Sequence, residues 1–177
     1  MGGGLIIRAA TLEDAPALAA IYGHHVLTGL GTFEAVPPDP TEMARRQADI
    51  TGRGFPYRVA EDKGRILGFA SAGPFRPRAA YRWTVEDSVY VAADAAGRGV
   101  GRALLTEVLT ACETMGLRQV LAVIGDSGNA GSIALHAALG FEHRGVVQAA
   151  GFKFGRWVDS VWMQKPLNGG DATAPQD

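Results

Sequence analysis

The feature that most constrains this chain is Gly97-Arg98-Gly99-Val100-Gly101, three glycines in five residues. It lies between a β-rich run ending in Val89-Tyr90-Val91 and a segment with Leu104, Leu105, Val108 and Leu109 at helical spacing. Glycines let a backbone approach an anion closely, and the first turn of a helix leaves N–H groups without intrahelical partners. A strand, glycine loop and helix in succession therefore suit a phosphate. Two familiar versions of this device do not fit. A P-loop closes on Gly-Lys-Ser/Thr, whereas Gly101 is followed by Arg102-Ala103. A dinucleotide-binding unit places the loop after its first strand, with an acidic residue about 20 positions on. Here the loop lies beyond the chain midpoint and that acidic signal is absent. On the loop alone, a tight strand-to-helix turn that binds nothing stays open as the alternative.

The segments around the loop set the fold class. Residues 5–8 form a short β-rich run, and Thr11-Leu12-Glu13-Asp14 has capping-box spacing ahead of Ala15, Leu18, Ala19, Tyr22 and Val26. Pro37, Pro38 and Pro40 close a linker, and 41–51 predicts a polar helix. Residues 57–61 and 65–72 predict strands joined by the hairpin signal Asp62-Lys63-Gly64, with Gly73-Pro74 as a break. A strand over 83–91 follows, with Val85, Val89 and Val91 on one face. After the glycine-loop helix, 119–124 is a continuous apolar strand expected at the centre of the sheet. A helix over 129–139 stops at Gly140, and 141–147 and 157–165 supply the last strands. Residues 168–177 are expected as a frayed polar tail, leaving one domain over 1–167. The order predicts an α/β (α+β) fold, a mixed twisted sheet flanked by helices.

Composition narrows the chemistry. With 177 residues, 47% of them hydrophobic and 20% charged, and a net charge of −1, the chain reads as one soluble globular domain without general affinity for nucleic acid or anionic membrane. No apolar run approaches the ~20 residues of a membrane span. Met1-Gly2-Gly3-Gly4 lacks the regions of a signal peptide, so a cytoplasmic location is expected. Cys112 is the only cysteine, which excludes an internal disulfide and a Cys-cluster zinc site. His24, His25, His136 and His143 show no metal-ligand spacing, and no metal is expected. The adjacent His24 and His25 diverge by about 100° on a helix, which reads as a structural or surface pair.

Val89-Tyr90-Val91 followed by Ala96-Gly97-Arg98-Gly99-Val100-Gly101-Arg102-Ala103-Leu104-Leu105 resembles the acetyl-CoA-binding segment of the GCN5-related N-acetyltransferases. That segment usually reads Arg/Gln-x-x-Gly-x-Gly/Ala, and Ala96 departs from it at the first position. The later stretch from Asn129 to Phe141 resembles a second motif of the family, Asn…Ala-x-x-Leu-Tyr-x-x-x-Gly-Phe, with His136 where many relatives carry tyrosine. Residues 83–91, Ala122-Val123-Ile124-Gly125 and 149–157 are similar to the phosphinothricin and methionine sulfoximine/sulfone acetyltransferases. The likeness runs from about Ile6 to Leu167. It implies a mostly antiparallel sheet whose central strands splay at the cofactor site, acetyl-CoA as co-substrate, and a homodimer. The implied cofactor contacts are Val89, Tyr90, Val91, Gly97, Arg98, Gly99, Val100, Gly101, Arg102, Asn129 and Ser132.

For the chemistry, Glu86 is the candidate base. Alternation from Val85 and Val91 turns it away from the core, and a carboxylate among apolar walls can take a proton from an ammonium. A solvated strand carboxylate is the bland alternative. Asp87 points the other way and ranks lower; with Ser88 it is a substrate-side candidate. His136 is a candidate acid or cofactor contact, against a packed helix histidine. A main-chain N–H of Tyr90 or Val91, freed by a strand bulge, is the expected donor to the thioester oxygen. Arg76 and Arg78 suit a substrate carboxylate, against solvent-facing loop charge. The resemblance adds Phe33 as a pocket residue, with Tyr81 a lesser candidate. The expected reaction is N-acetylation of the α-amine of a small amino acid or analogue such as phosphinothricin, methionine sulfoximine or methionine sulfone. Acetylation of a protein N-terminus or lysine, and a non-catalytic acetyl-CoA sensor, are the rivals.

Overall fold

A seven-stranded sheet carries the computed structural model, which describes residues 4–175. In chain order the elements are β1 (Ile6–Ala9), α1 (Ala15–Thr28), α2 (Pro40–Gly52), β2 (Tyr57–Asp62), β3 (Arg65–Pro74) and β4 (Thr84–Val91). They continue with α3 (Val100–Thr114), β5 (Gln119–Gly125), α4 (Ala130–Ala138), β6 (Glu142–Lys153) and β7 (Arg156–Pro166). The strands lie in the order β1-β2-β3-β4-β5-β7-β6. Every pairing is antiparallel except β4 with β5.

That exception creates the site. The parallel ladder joins Thr84–Glu86 to Gln119–Leu121 only. Beyond it, β4 follows β3 as far as Gly68↔Val91, while β5 follows β7 as far as Gly125↔Ser160. Each strand of the central pair keeps its outer partner and loses its inner one, so the sheet opens into a V toward the glycine loop.

The period-2 alternation of the strands assigns the two faces. On one face α3 buries Val100, Leu104, Leu105, Val108, Leu109 and Cys112 against Val85, Val120, Ala122, Ile124, Val161 and Met163. On the other, Leu18, Ile21, Tyr22 and Val26 of α1 and Met43 of α2 cover Tyr57, Val59 and Phe69. Leu104 and Leu105 are fully buried. At about 25 cal/mol per Å² of apolar surface, each such side chain is worth roughly 2 kcal/mol, enough to seat the glycine-loop helix firmly.

The elements depart from expectation mainly at their ends. The β2–β3 hairpin turns through Lys63 (φ 51°) and Gly64 (φ 76°), and β6–β7 does the same through Phe154 (φ 51°) and Gly155 (φ 73°). β6 runs to Lys153 instead of stopping at Val147. A register shift between Val147 and Gly151 carries it across Gln-Ala-Ala-Gly, a stretch poor in strand formers. The segment after Leu167 was expected to fray, yet Asn168 Nδ2 donates to the carbonyls of Glu113 and Leu117 at 2.9 Å each. Arg118 holds the carbonyls of Gly170 and Thr173 at 2.8 and 2.6 Å. No helix among the described residues is long and apolar enough to cross a membrane.

Candidate active site

The glycine loop is shaped by backbone conformation. Gly97 and Gly99 sit at φ 74° and 80°, where side-chain-bearing residues are strained, and open space lies where their Cβ atoms would be. Gly99 caps α3, whose first internal bond runs from Ala103 N to the Gly99 carbonyl at 3.0 Å. The N–H groups ahead of Ala103 in that first turn are therefore unsatisfied within the helix. No acidic residue occupies the turn, and Arg98 and Arg102 are exposed beside it. Gly101 has a packing role. A Cβ there would sit 3.2 Å from Leu135 Cδ2 and 3.5 Å from Val91 Cγ2, so its absence lets α3 approach both α4 and β4.

Register decides which β4 amides face the gap. Phe75 N donates to the Thr84 carbonyl at 3.2 Å, and Ala92 N donates to the Leu67 carbonyl at 2.8 Å. Even-numbered residues of this strand thus turn their backbone groups toward β3, and Val89 and Val91 turn theirs toward the space β5 has left. This corrects the expected origin of the free donor. The β3–β4 register runs unbroken from Gly68↔Val91 to Pro74↔Val85, so strand divergence and not a bulge exposes it. Tyr90 faces β3 opposite Phe69, so of the two expected N–H groups the one that faces the gap is that of Val91.

A cavity of about 440 Å³ occupies the V. Glu86, Asp87, Ser88, Val89 and Tyr90 line it from β4, and Asn129, Ser132 and His136 from α4 and its cap. Glu86 and Asp87 lie on opposite faces, as alternation requires. Glu86 shares its face with Tyr90, whose ring packs on Tyr22 and Phe69. Burial pushes the half-buried Glu86 carboxyl up; Asp87 adds to this, and Arg76 opposes it without cancelling it. Asp87 turns inward to His136, with Oδ2 3.0 Å from Nε2. Asn129 caps α4, its Oδ1 accepting from Ser132 N at 3.3 Å.

The expected substrate-side residues form a separate group that does not line this cavity. The Arg76 guanidinium lies 4.8 Å over the Phe75 ring, and Tyr81 meets the same ring edge-on at 5.6 Å. Arg78 is exposed just ahead of the short turn Ala79–Tyr81. Phe33 is half exposed, its ring set directly against Gly151 of β6, where a Cβ would collide with it.

Three features escaped the sequence. His25 lines the cavity, and its Nε2 donates to the Val91 carbonyl at 2.8 Å, tying α1 to the free edge of β4. Its spacing from Ile21 and Tyr22 on α1 was the available signal. Gly29, Leu30 and Gly31 form another wall, against which Gly125 closes so tightly that a Cβ would strike the Leu30 carbonyl. Lys153 pins this loop, its Nζ donating to the carbonyls of Gly29 and Thr32 at 2.8 Å each. Cys112 is fully buried with its thiol pushed up to about 12 by burial, which makes it a poor nucleophile. No cluster of three or more His, Cys, Asp or Glu among the described residues is placed to hold a metal ion.

Comparison with known proteins agrees with this geometry. The family model described as acetyltransferase (GNAT) domain matches residues 7–162. The chain is 55% identical over 170 residues to a phosphinothricin N-acetyltransferase of Alcaligenes faecalis, covering 96% of this chain and 86% of that protein. It is 43% identical to an L-methionine sulfoximine/L-methionine sulfone acetyltransferase of Pseudomonas aeruginosa, covering 92% and 94%. Among solved structures, a phosphinothricin acetyltransferase from Sinorhizobium meliloti in complex with acetyl-CoA superposes with a TM-score of 0.94 at 47% identity, covering 98% of this chain and 94% of that one. With a family match over most of its length and this sheet topology, the chain belongs to the GNAT family of N-acetyltransferases.

Proposed function

We propose that this chain transfers the acetyl group of acetyl-CoA to the α-amine of a small amino acid or analogue, with phosphinothricin, methionine sulfoximine and methionine sulfone as the foremost acceptors. One observation carries the reading: a carboxyl with a raised pKa, Glu86, stands at the rim of a gap into which the Val89 and Val91 backbone groups point without a strand partner. The names of the relatives above support the acceptor class.

The open space and left-handed backbone at Gly97 and Gly99 fit a pyrophosphate, with Arg98 and Arg102 beside it. The gap takes the thioester arm. The Val91 N–H is the preorganised donor toward the thioester oxygen as it gains charge. Glu86 removes the ammonium proton of the acceptor, whose nitrogen then attacks directly; buried Cys112 forms no acyl-enzyme. Arg76 and Arg78 hold the acceptor carboxylate, with Phe33 and Tyr81 as flanking apolar surface and Ser88 on the Glu86 face. Asn129 and Ser132 complete the cofactor wall from α4.

A homodimer belongs to the same proposal. Val146, Val147, Phe152 and Trp157 are exposed along β6 and β7, and Phe152 meets Trp157 at 5.3 Å, a patch suited to a second copy. Light scattering should give twice the chain mass.

The direct test of the chemistry is Glu86→Gln. It should lower kcat by about 10²- to 10⁴-fold with both KM values near wild type. In the wild type, kcat/KM should fall as pH drops through a value above the ordinary carboxylate range, because only ionised Glu86 is a base. A Glu86→Gln enzyme with normal kcat removes this residue from the reaction.

A further inference from the structure

The contact between His136 and Asp87 is unusual in its donor count. His136 Nδ1 lies 2.8 Å from the Ser132 carbonyl oxygen, which only accepts, so that nitrogen carries a hydrogen. Nε2 faces a second acceptor, Asp87 Oδ2, at 3.0 Å. An imidazole set between two acceptors needs a proton on each nitrogen. Both side chains are closed to water, at 3% and 1% exposure. Asp87 Oδ1 is buried and meets no donor among the described residues, so the bond to His136 is what compensates this carboxylate.

We propose that Asp87 is a positioning residue of the transferase. It keeps both nitrogens of His136 protonated and clamps α4 to β4 at the edge of the gap, so that His136 braces the acetyl-CoA wall and neither takes nor gives a proton in the reaction.

The surroundings support this. His136 lies one helical turn beyond Ser132 and two beyond Asn129, so the clamp fixes the stretch of α4 that lines the cavity. Phe141 meets the imidazole edge-on at 5.0 Å and offers no acceptor. From β4, Glu86 lies on the opposite face of the strand; from α3, the nearby Cys112 thiol is un-ionised at neutral pH. Burial alone would lower the imidazole pKa, and the hydrogen bond and charge of Asp87 outweigh it and leave it raised. Strand alternation turns Asp87 away from the Glu86 face and toward the core, and that direction is what brings it to His136.

The charge state of His136 stands apart from the identity of the base, whereas the kinetic arm rests on the gap being the acetyl-CoA site. The experiment follows the imidazole nitrogens by NMR in wild type and Asp87→Asn, assigned with His24, His25 and His143 variants, alongside steady-state kinetics. At about pH 8, where an ordinary histidine near 6.5 is neutral, wild-type His136 should show two protonated nitrogens; in Asp87→Asn it should be neutral with the proton on Nδ1. Asp87→Asn should raise the acetyl-CoA KM about 5- to 10-fold while leaving kcat within about 3-fold and the acceptor KM unchanged. A neutral wild-type His136 at that pH overturns the proposal. So does a kcat loss of about 100-fold or more at unchanged acetyl-CoA KM, which would mark a proton donor, and so does unaltered kinetics. Should Asp87→Asn fail to fold, the wild-type titration decides alone.

Discussion

The two sides of the cleft are built differently. The side proposed for acetyl-CoA, from β4 through the glycine loop to α3 and α4, would recognise through backbone: amides without a strand partner, two glycines at positive φ and a third at a close packing contact. The side proposed for the acceptor would rely on side chains carried by loops, with Arg76 stacked on Phe75, Tyr81 against the same ring, and Phe33 lying on Gly151. Backbone recognition tolerates many side chains but few changes of φ or spacing. Side-chain recognition can be retuned one residue at a time. A single scaffold can therefore keep its donor while changing the amine it accepts, and related enzymes would be expected to diverge on the acceptor side.

The largest effect that could break this contrast is on the backbone side. Gly101→Val places branched atoms against Leu135 and Val91 and pushes α3 outward. It should raise the acetyl-CoA KM by about 10-fold or more, about 1.4 kcal/mol, with the acceptor KM unmoved. A matching rise in the acceptor KM would show that the two sides are not independent. On the side-chain half, Arg76→Ala should raise the acceptor KM about 5-fold, with Arg76→Lys recovering only part because ammonium lacks the guanidinium fork. Arg76 also opposes the raised pKa of Glu86, so its removal should move the acidic limb of the rate profile further upward.

The smallest effect separates function from stability. Glu86 has a folded-state pKa raised chiefly by burial. A group raised in this way contributes stability below its unfolded pKa and loses that contribution as pH rises through the folded value. Once ionised, Glu86 therefore works against the fold. Glu86→Gln should melt slightly higher than wild type at pH 7, and the two should converge in acid; equal melting at pH 7 would mean that the carboxylate is well solvated.

How much of this was legible in the sequence follows from the distances involved. The glycine loop, its helix and the facing of Glu86 were readable because each depends on residues within a turn or two along the chain. The splayed strands came from resemblance, and the structure supplies their cause in the short β4–β5 ladder. The Asp87–His136 bond joins residues 49 apart and depends on how α4 rests on β4, which no local pattern encodes. The same holds for Lys153, which crosses 121 and 124 residues to hold the Thr32 and Gly29 carbonyls. Residues after Leu167 looked like a tail because their composition is polar. Their anchors, Arg118 and the carbonyls of Glu113 and Leu117, lie about 50 positions away.

The measurement that most directly tests the central claim is thiol release from acetyl-CoA with phosphinothricin, methionine sulfone, the carboxamide of methionine sulfone, and a short peptide. Rapid turnover of the free amino acid analogues, with large losses for the carboxamide and the peptide, is the predicted result, because the proposed reading assigns Glu86 to the α-amine and Arg76 and Arg78 to the adjacent carboxylate. Equal or faster turnover of the peptide, or indifference to the carboxylate, would contradict it.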